Sequence, residues 1–423
     1  MEPILTPKAP AATADVPVQA GFNPWQKWRI LFLANACSLL GNYTQNLALP
    51  LWVLSVTGSY TATGITFAVG TLPVVLCAPI AGRIVDRYDR LHVFITCEVL
   101  SALLVLILVV GVRAENLAVV YVISALLKAV GSASVPAVQA MLKERLSAEE
   151  ARPVIAKFEV VFGATMSLGP LIGAALSTGI GIEAALWVNL ASFVVSGLLA
   201  MLLRPSAAKI KKSRLARSGD DRPQTRLEPV RLRSIAPQLR RVALAEASYF
   251  LFLGSEVVIA LAVFQQTLGV AAAAVYQTLT GIGWIVGSYL VVRRFNRQPL
   301  IIWMGAVVSI VAAVALVLSG RSWSWAAVVV VGILGGAGNV MIAGAATVVY
   351  QALTSNDAIG RVFALRRAML NLLMTASYVA IPFIGDLTNH PAPVLLVAGA
   401  LNLITTTLLL LPHYRASMDG KSD

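Results

Sequence analysis

Residues 91–112 read LHVFITCEVLSALLVLILVVGV, an apolar run with a single acid, bounded by Arg90 and Arg113. At about 1.5 Å per residue a helix of this length crosses the roughly 30 Å hydrocarbon layer of a bilayer, so the stretch predicts a transmembrane helix. Runs like it recur along the whole chain. Of the 423 residues 58% are apolar and only 13% are charged, where soluble proteins carry about 25%, and the mean hydropathy is +0.79. That much apolar surface does not fit a soluble core. The expected class is an all-α polytopic membrane protein, which excludes a soluble enzyme, a secreted disulfide domain and a single-pass receptor.

Helix periodicity outward from that run predicts spans at 29–55, 61–83, 91–112, 117–141, 154–179, 184–203, 240–266, 271–293, 299–319, 325–352, 361–386 and 391–411. The division that follows is an N-terminal tail over 1–28, a six-helix half over 29–203, a basic linker over 204–239, a second six-helix half over 240–411 and a tail over 412–423. The first 24 residues lack a basic segment leading into a short apolar stretch, so no cleavable signal peptide is expected. Basic residues then orient the spans, because loops kept in the cytoplasm collect Lys and Arg. Thirty of the 33 fall on one side, Arg113 and Arg321 on the other, and Lys128 lies within a span. Both termini and the linker are therefore expected in the cytoplasm of a cell with this protein in its inner membrane. The net charge of +13 is explained by these loops, and no nucleic-acid partner is expected.

A repeat crosses the linker. Asp86-Arg87-Tyr88-Asp89-Arg90 is echoed by Arg293-Arg294-Phe295-Asn296-Arg297, and Leu146-Ser147-Ala148-Glu149-Glu150-Ala151 by Leu353-Thr354-Ser355-Asn356-Asp357-Ala358, both 207 positions on. Leu40-Gly41 pairs with Leu253-Gly254 at a similar offset. Same-sense repeats of six spans place two halves about an axis along the membrane normal, with a substrate path between them.

Residues 82–90, GRIVDRYDR, fill the loop after the second helix. A glycine, an acid four residues on and spaced arginines resemble the 2/3-loop signature of the major facilitator superfamily, and the Asp-Arg-x-Asp-Arg form is similar to its macrolide-efflux and enterobactin-exporter branch. Asp89 departs from the broad pattern, which has a second glycine there. The resemblance implies twelve transmembrane helices, alternating access and a gating loop of Gly82, Asp86, Arg87 and Arg90. In physical terms Gly82 would let two helices approach, Asp86 would sit at the N-terminus of a helix of the other half, and the arginines would hold the closed loop. In the fifth helix Gly163, Ser167, Pro170, Ala174 and Ser177 fall on one face at steps of three and four, and Gly163, Gly169, Pro170 and Gly173 resemble the antiporter motif of the family's exporters, a small-residue pattern that also serves plain helix packing.

Polar groups inside spans mark a path or a coupling site, since lipid offers them no partner. Asn35, Ser38, Asn42 and Gln45, with Asn46 beside them, form one stripe down the first helix; it reads as a cavity lining or as interhelical amide bonding. The second half offers Tyr249, Tyr276, Gln277, Asn339, Asn371 and Tyr378. Four ionisable groups, Glu98, Lys128, Glu246 and Glu256, are candidates for proton coupling. Glu246, Tyr249, Leu253 and Glu256 share one face of the seventh helix, expected to look toward the cavity.

No Gly-x-x-x-x-Gly-Lys-Ser/Thr loop for ATP is present, and His92, His390 and His413 lie at span ends or in loops, apart from Asp or Glu pairs, so enzymatic activity, a cofactor and a metal site are not expected. Cys37, Cys77 and Cys97 match no disulfide or zinc spacing. The reading is a monomeric secondary transporter that exports amphipathic small molecules such as drugs, antibiotics or natural products against protons, embedded in membrane lipid. A lysophospholipid or siderophore carrier of the same fold, or a non-transporting sensor, are the alternatives.

Overall fold

Short polar caps and glycines set the helix boundaries. Gly58, Gly181 and Gly269 take positive φ of 65°, 109° and 88° between successive helices, a backbone region open to glycine without strain. Ser59, Asp89 and Asn116 cap the helices that follow them by accepting from backbone N–H groups of the first turn, as short polar side chains do at this position. The computed structural model describes residues 24–145, 148–203, 237–293, 298–318, 325–354 and 359–418.

Thirteen helices lie among the described residues. They are α1 (Pro24–Thr57), α2 (Tyr60–Arg87), α3 (Arg90–Arg113), α4 (Leu117–Gly131), α5 (Ser134–Arg145), α6 (Ala148–Gly179), α7 (Ile182–Met201), α8 (Pro237–Leu268), α9 (Val270–Arg293), α10 (Gln298–Leu318), α11 (Trp325–Leu353), α12 (Ile359–Thr388) and α13 (Pro391–Met418). Eleven stretches are long and apolar enough to cross a membrane; the amide-striped α1 is not among them, yet it packs along the spans α6 and α7. Two expectations need correction. The fourth span is not one helix, because α4 ends at Gly131 and α5 starts at Ser134. Pro136 has no N–H to bond back to residue 132, and Gly131 favours the break. Several helices also overrun the apolar runs that announced them, α6 by beginning at Ala148 and α13 by running to Met418.

The packing pattern repeats. In the first half α1 lies on α6 and α7, α2 on α4, and α3 on α4 and α7; in the second, α8 lies on α12 and α13, α9 on α11, and α10 on α11 and α13. Each pairing maps onto its counterpart six spans later. Across the halves α2 meets α12 and α6 meets α9, two contacts that a two-fold axis between the halves would interchange. Of the repeat segments, residues 146–147, 294–297 and 355–358 lie outside the described residues, as does the linker over 204–236.

The halves share an apolar core toward one end only. Leu47 and Leu51 of α1 and Ala174 of α6 join Ile259, Phe264 and Tyr276 of the second half in one buried cluster. Near the opposite end Leu31, Phe94, Met141 and Leu203 form a core built of first-half residues.

Candidate functional site

The end where α1 and α8 finish and α2 begins is closed by hydrogen bonds between the halves. Gln265 Nε2 of α8 donates to the Leu51 carbonyl at 2.8 Å, and Tyr60 Oη donates to Gln266 Oε1 at 2.6 Å. Asp386, near the end of α12, accepts from Ser59 Oγ at 2.8 Å, from the Tyr60 N–H at 3.1 Å and from the Thr61 N–H at 2.8 Å. A carboxylate of one half thus sits on the N-terminus of a helix of the other, where free N–H groups and the helix dipole both favour an anion. Farther in, a Cβ on Gly64 of α2 would overlap the Tyr378 carbonyl of α12, and Phe67 stacks on Tyr378 with ring centroids 5.3 Å apart.

The opposite end carries the 82–90 loop and is arranged otherwise. Asp86 and Arg87 are exposed, and Asp86 has no hydrogen-bond or ion-pair partner among the described residues. Arg90 donates to the Ala140 carbonyl of α5 at 2.8 Å, within its own half. The expectation that Gly82 brings two helices together does not hold in this conformation, since a Cβ there would meet open space; the close approach on α2 belongs to Gly64. Asp89 has a definite role in place of the missing glycine. Its carboxylate caps α3, accepting from Leu91 N–H at 3.0 Å and His92 N–H at 3.1 Å, with the His92 ring at 3.0 Å. Burial pushes this carboxyl up, but the bonds from His92 and Leu91 outweigh it and hold it below its ordinary value.

The stripe on α1 divides among neighbours. Ser38 Oγ donates to Glu98 Oε1 of α3 at 3.1 Å, Asn189 Nδ2 of α7 donates to Gln45 Oε1 at 2.6 Å, and Asn42 Nδ2 returns to the Ser38 carbonyl at 2.9 Å. Asn35 is buried, whereas Asn46 is exposed and accepts from Lys128 Nζ at 2.6 Å. So Ser38 and Gln45 tie α1 to α3 and α7, Asn42 bonds within α1, and Asn46 is joined to Lys128 at an exposed position. On α6 a Cβ at Gly169 would collide with Tyr43 and one at Gly173 with the Thr44 carbonyl, while Gly163 faces open space. Pro170, between the two contacting glycines, is half-buried. The fifth-span motif is therefore an α1–α6 seam.

On α8, Glu246, Tyr249, Leu253 and Glu256 are all buried, and the two acids lie against α12 and α11 of their own half. Glu246 pairs with Arg366 of α12, whose Nε donates to Glu246 Oε2 at 2.8 Å. Arg366 also donates to Thr347 Oγ1 at 2.9 Å and to the Ala343 carbonyl at 3.0 Å, and lies over the Tyr350 ring at 4.7 Å. The sequence allows Glu246 a loop arginine as partner and puts Arg366 among the basic residues of the 10/11 loop, without naming this pair; the signal available was a basic residue one to two turns inside a predicted span. Glu256 has neither carboxylate oxygen hydrogen-bonded. It lies against Gly335 of α11, where a Cβ would overlap Oε1, with Tyr249 and Tyr276 close enough to sense its charge. Tyr276 and Tyr378 are buried, while Gln277, Asn339 and Asn371 are half-buried. Among the described residues no group of His, Cys, Asp and Glu has the makings of a metal site.

The family model described as the Major Facilitator Superfamily matches residues 31–378. The chain is 30% identical over 172 residues to the uncharacterized MFS-type transporter YkuC of Bacillus subtilis (strain 168), covering 40% of each chain. It is 33% identical over 189 residues to the multidrug efflux pump Tap of Mycolicibacterium fortuitum, covering 42% of this chain and 45% of that one. The alignments thus span less than half the length of these curated relatives. In three dimensions it resembles a bacterial homologue of the iron transporter ferroportin in an inward-facing state, with a TM-score of 0.69 at 15% identity over 92% of this chain and 99% of that one.

Proposed function

Because the chain belongs to the major facilitator superfamily, we propose that this transporter exports amphipathic small molecules in exchange for protons, by alternating access, from a cell whose inner membrane holds it with both termini inside. The distribution of Lys and Arg supports that orientation. The bonded end is then the outer gate, and the conformation is closed outside. The likeness to Tap and the α1–α6 seam favour export of drug-like or natural-product molecules, in keeping with the macrolide-efflux and enterobactin-exporter pattern of the loop.

The observation that carries the coupling is Glu256, a carboxyl buried mid-span with no hydrogen-bond donor and no ion-pair partner among the described residues. A group of this kind is a place where a proton is taken up and given back as the halves rock and the surroundings alternate between dry and wet. Glu246 is committed to Arg366, which leaves Glu256, and Glu98 with its bond from Ser38, as the buried acids without an ion-pair partner among the described residues. In proteoliposomes with a pH gradient, Glu256→Gln is expected to abolish uphill export while preserving substrate exchange at equal pH. Gradient-driven export that persists in Glu256→Gln would overturn the assignment and move the role to Glu98.

A further inference from the structure

The directions around α1 are nearly all taken. Ser38 faces Glu98 of α3, Gln45 faces Asn189 of α7, Thr44 lies under Gly173 of α6, and Leu47 and Leu51 enter the core shared with the second half. Asn46 occupies the remaining direction and is exposed. It is met there by Lys128, a half-buried residue of α4, a helix packed mainly on α2 and α3. The lysine therefore meets α1 at an exposed position of that helix. One helical turn before Asn46 stands Tyr43, its half-buried ring edge-on to Phe162 at 5.9 Å.

An ammonium group inside a span is costly unless a counter-charge or water compensates it. Arg366 and Arg113 each have a carboxylate, Glu246 and Glu183 respectively. Lys128 has only the amide oxygen of Asn46 among the described residues. The amide nitrogen of Asn46 makes no hydrogen bond among the described residues, so a cation and an unused donor stand together at this exposed position, one turn from the Tyr43–Phe162 ring pair. We infer that Lys128 and Asn46 dock an acidic group of the transported molecule, which makes amphipathic anions, a carboxylate on an apolar body, the substrate class. The ammonium supplies the charge, the amide a directional N–H, and the Tyr43–Phe162 surface the apolar contact.

The site presupposes the transport path proposed above but not its coupling, so it is read by equilibrium binding without any gradient. Fluorescein and rhodamine 6G share a xanthene body and differ in charge; polarisation of each dye is measured with the purified full-length protein. Wild type is expected to bind fluorescein more tightly than rhodamine 6G. Lys128→Ala should bind fluorescein roughly tenfold or more weakly, the loss of one charge-assisted contact, with Lys128→Arg restoring most of it and rhodamine 6G binding no worse. Monodisperse elution of each variant guards against misfolding. Preference for rhodamine 6G, binding of neither dye, or unchanged fluorescein affinity in Lys128→Ala would overturn the inference. Any of these results leaves the Glu256→Gln transport test standing on its own.

Discussion

Glu246 and Glu256 lie ten positions apart on α8 and meet opposite surroundings. One is held by a guanidinium that is itself bonded to Thr347 and Ala343; the other has two unbonded oxygens. Removing one member of a buried ion pair strands the other, so Glu246→Ala is expected to destabilise the protein by about 3–5 kcal/mol. Replacing both, as Glu246→Leu with Arg366→Met, should cost far less, and thermal unfolding in detergent distinguishes the two outcomes. Equal losses would mean that the pair acts through packing alone. The heptad spacing placed both acids on one face. It could not tell which of them had a partner, because Arg366 comes 120 residues later and meets Glu246 only once α12 packs on α8.

At the scale of the element, caps and seams follow local rules. Asp89→Ala should lower stability by about 1 kcal/mol through loss of the α3 cap. The folded-state pKa of Asp89 lies below the unfolded one, so its contribution is full above the ordinary aspartate pKa of about 3.9 and vanishes as pH falls through the lower folded value. A wild-type-minus-variant difference in unfolding temperature that shrinks on acidification below pH 4 is the expected signature. Along the α1–α6 seam, Gly173→Val drives a side chain into the Thr44 carbonyl and should reduce folded yield, whereas Gly163→Ala, into open space, should leave yield unchanged. Equal yields for the two would argue against the seam. The small-residue face on α6 was visible in the sequence, but all four of its members looked alike there. Only contact with Tyr43 and Thr44 separates Gly169 and Gly173 from Gly163.

In the whole molecule, Asp386 ties the halves with three bonds, from the Ser59 cap and from the first two residues of α2. Asp386→Ala should shift the population toward states open at that end. Leu47, buried beneath the gate in the shared core, then reports the change: with the native cysteines replaced, Leu47→Cys should react roughly tenfold faster with a membrane-impermeant maleimide in the Asp386→Ala background, a shift of the size one to two kcal/mol produces. Unchanged labelling would show that the shared apolar core closes this end by itself. Asp386 was not singled out in the sequence, since an acid near the end of a span reads as an ordinary loop charge until α2 is seen beneath it. What the sequence by itself determined is the membrane class and the succession of long apolar helices; the sidedness read from Lys and Arg and the six-plus-six division read from the repeated segments are its expectations. Each of these depends on short-range properties, namely the length of apolar runs, the charge of loops and the likeness of segments. The tertiary structure alone decided which polar groups are satisfied and which are left open: Gln45 against Asn189, Glu246 against Arg366, Asp386 on the N-terminus of α2, Lys128 on Asn46, and Glu256 unbonded. Those outcomes rest on contacts between residues tens to hundreds of positions apart, and periodicity within one helix carries no record of what will pack against it.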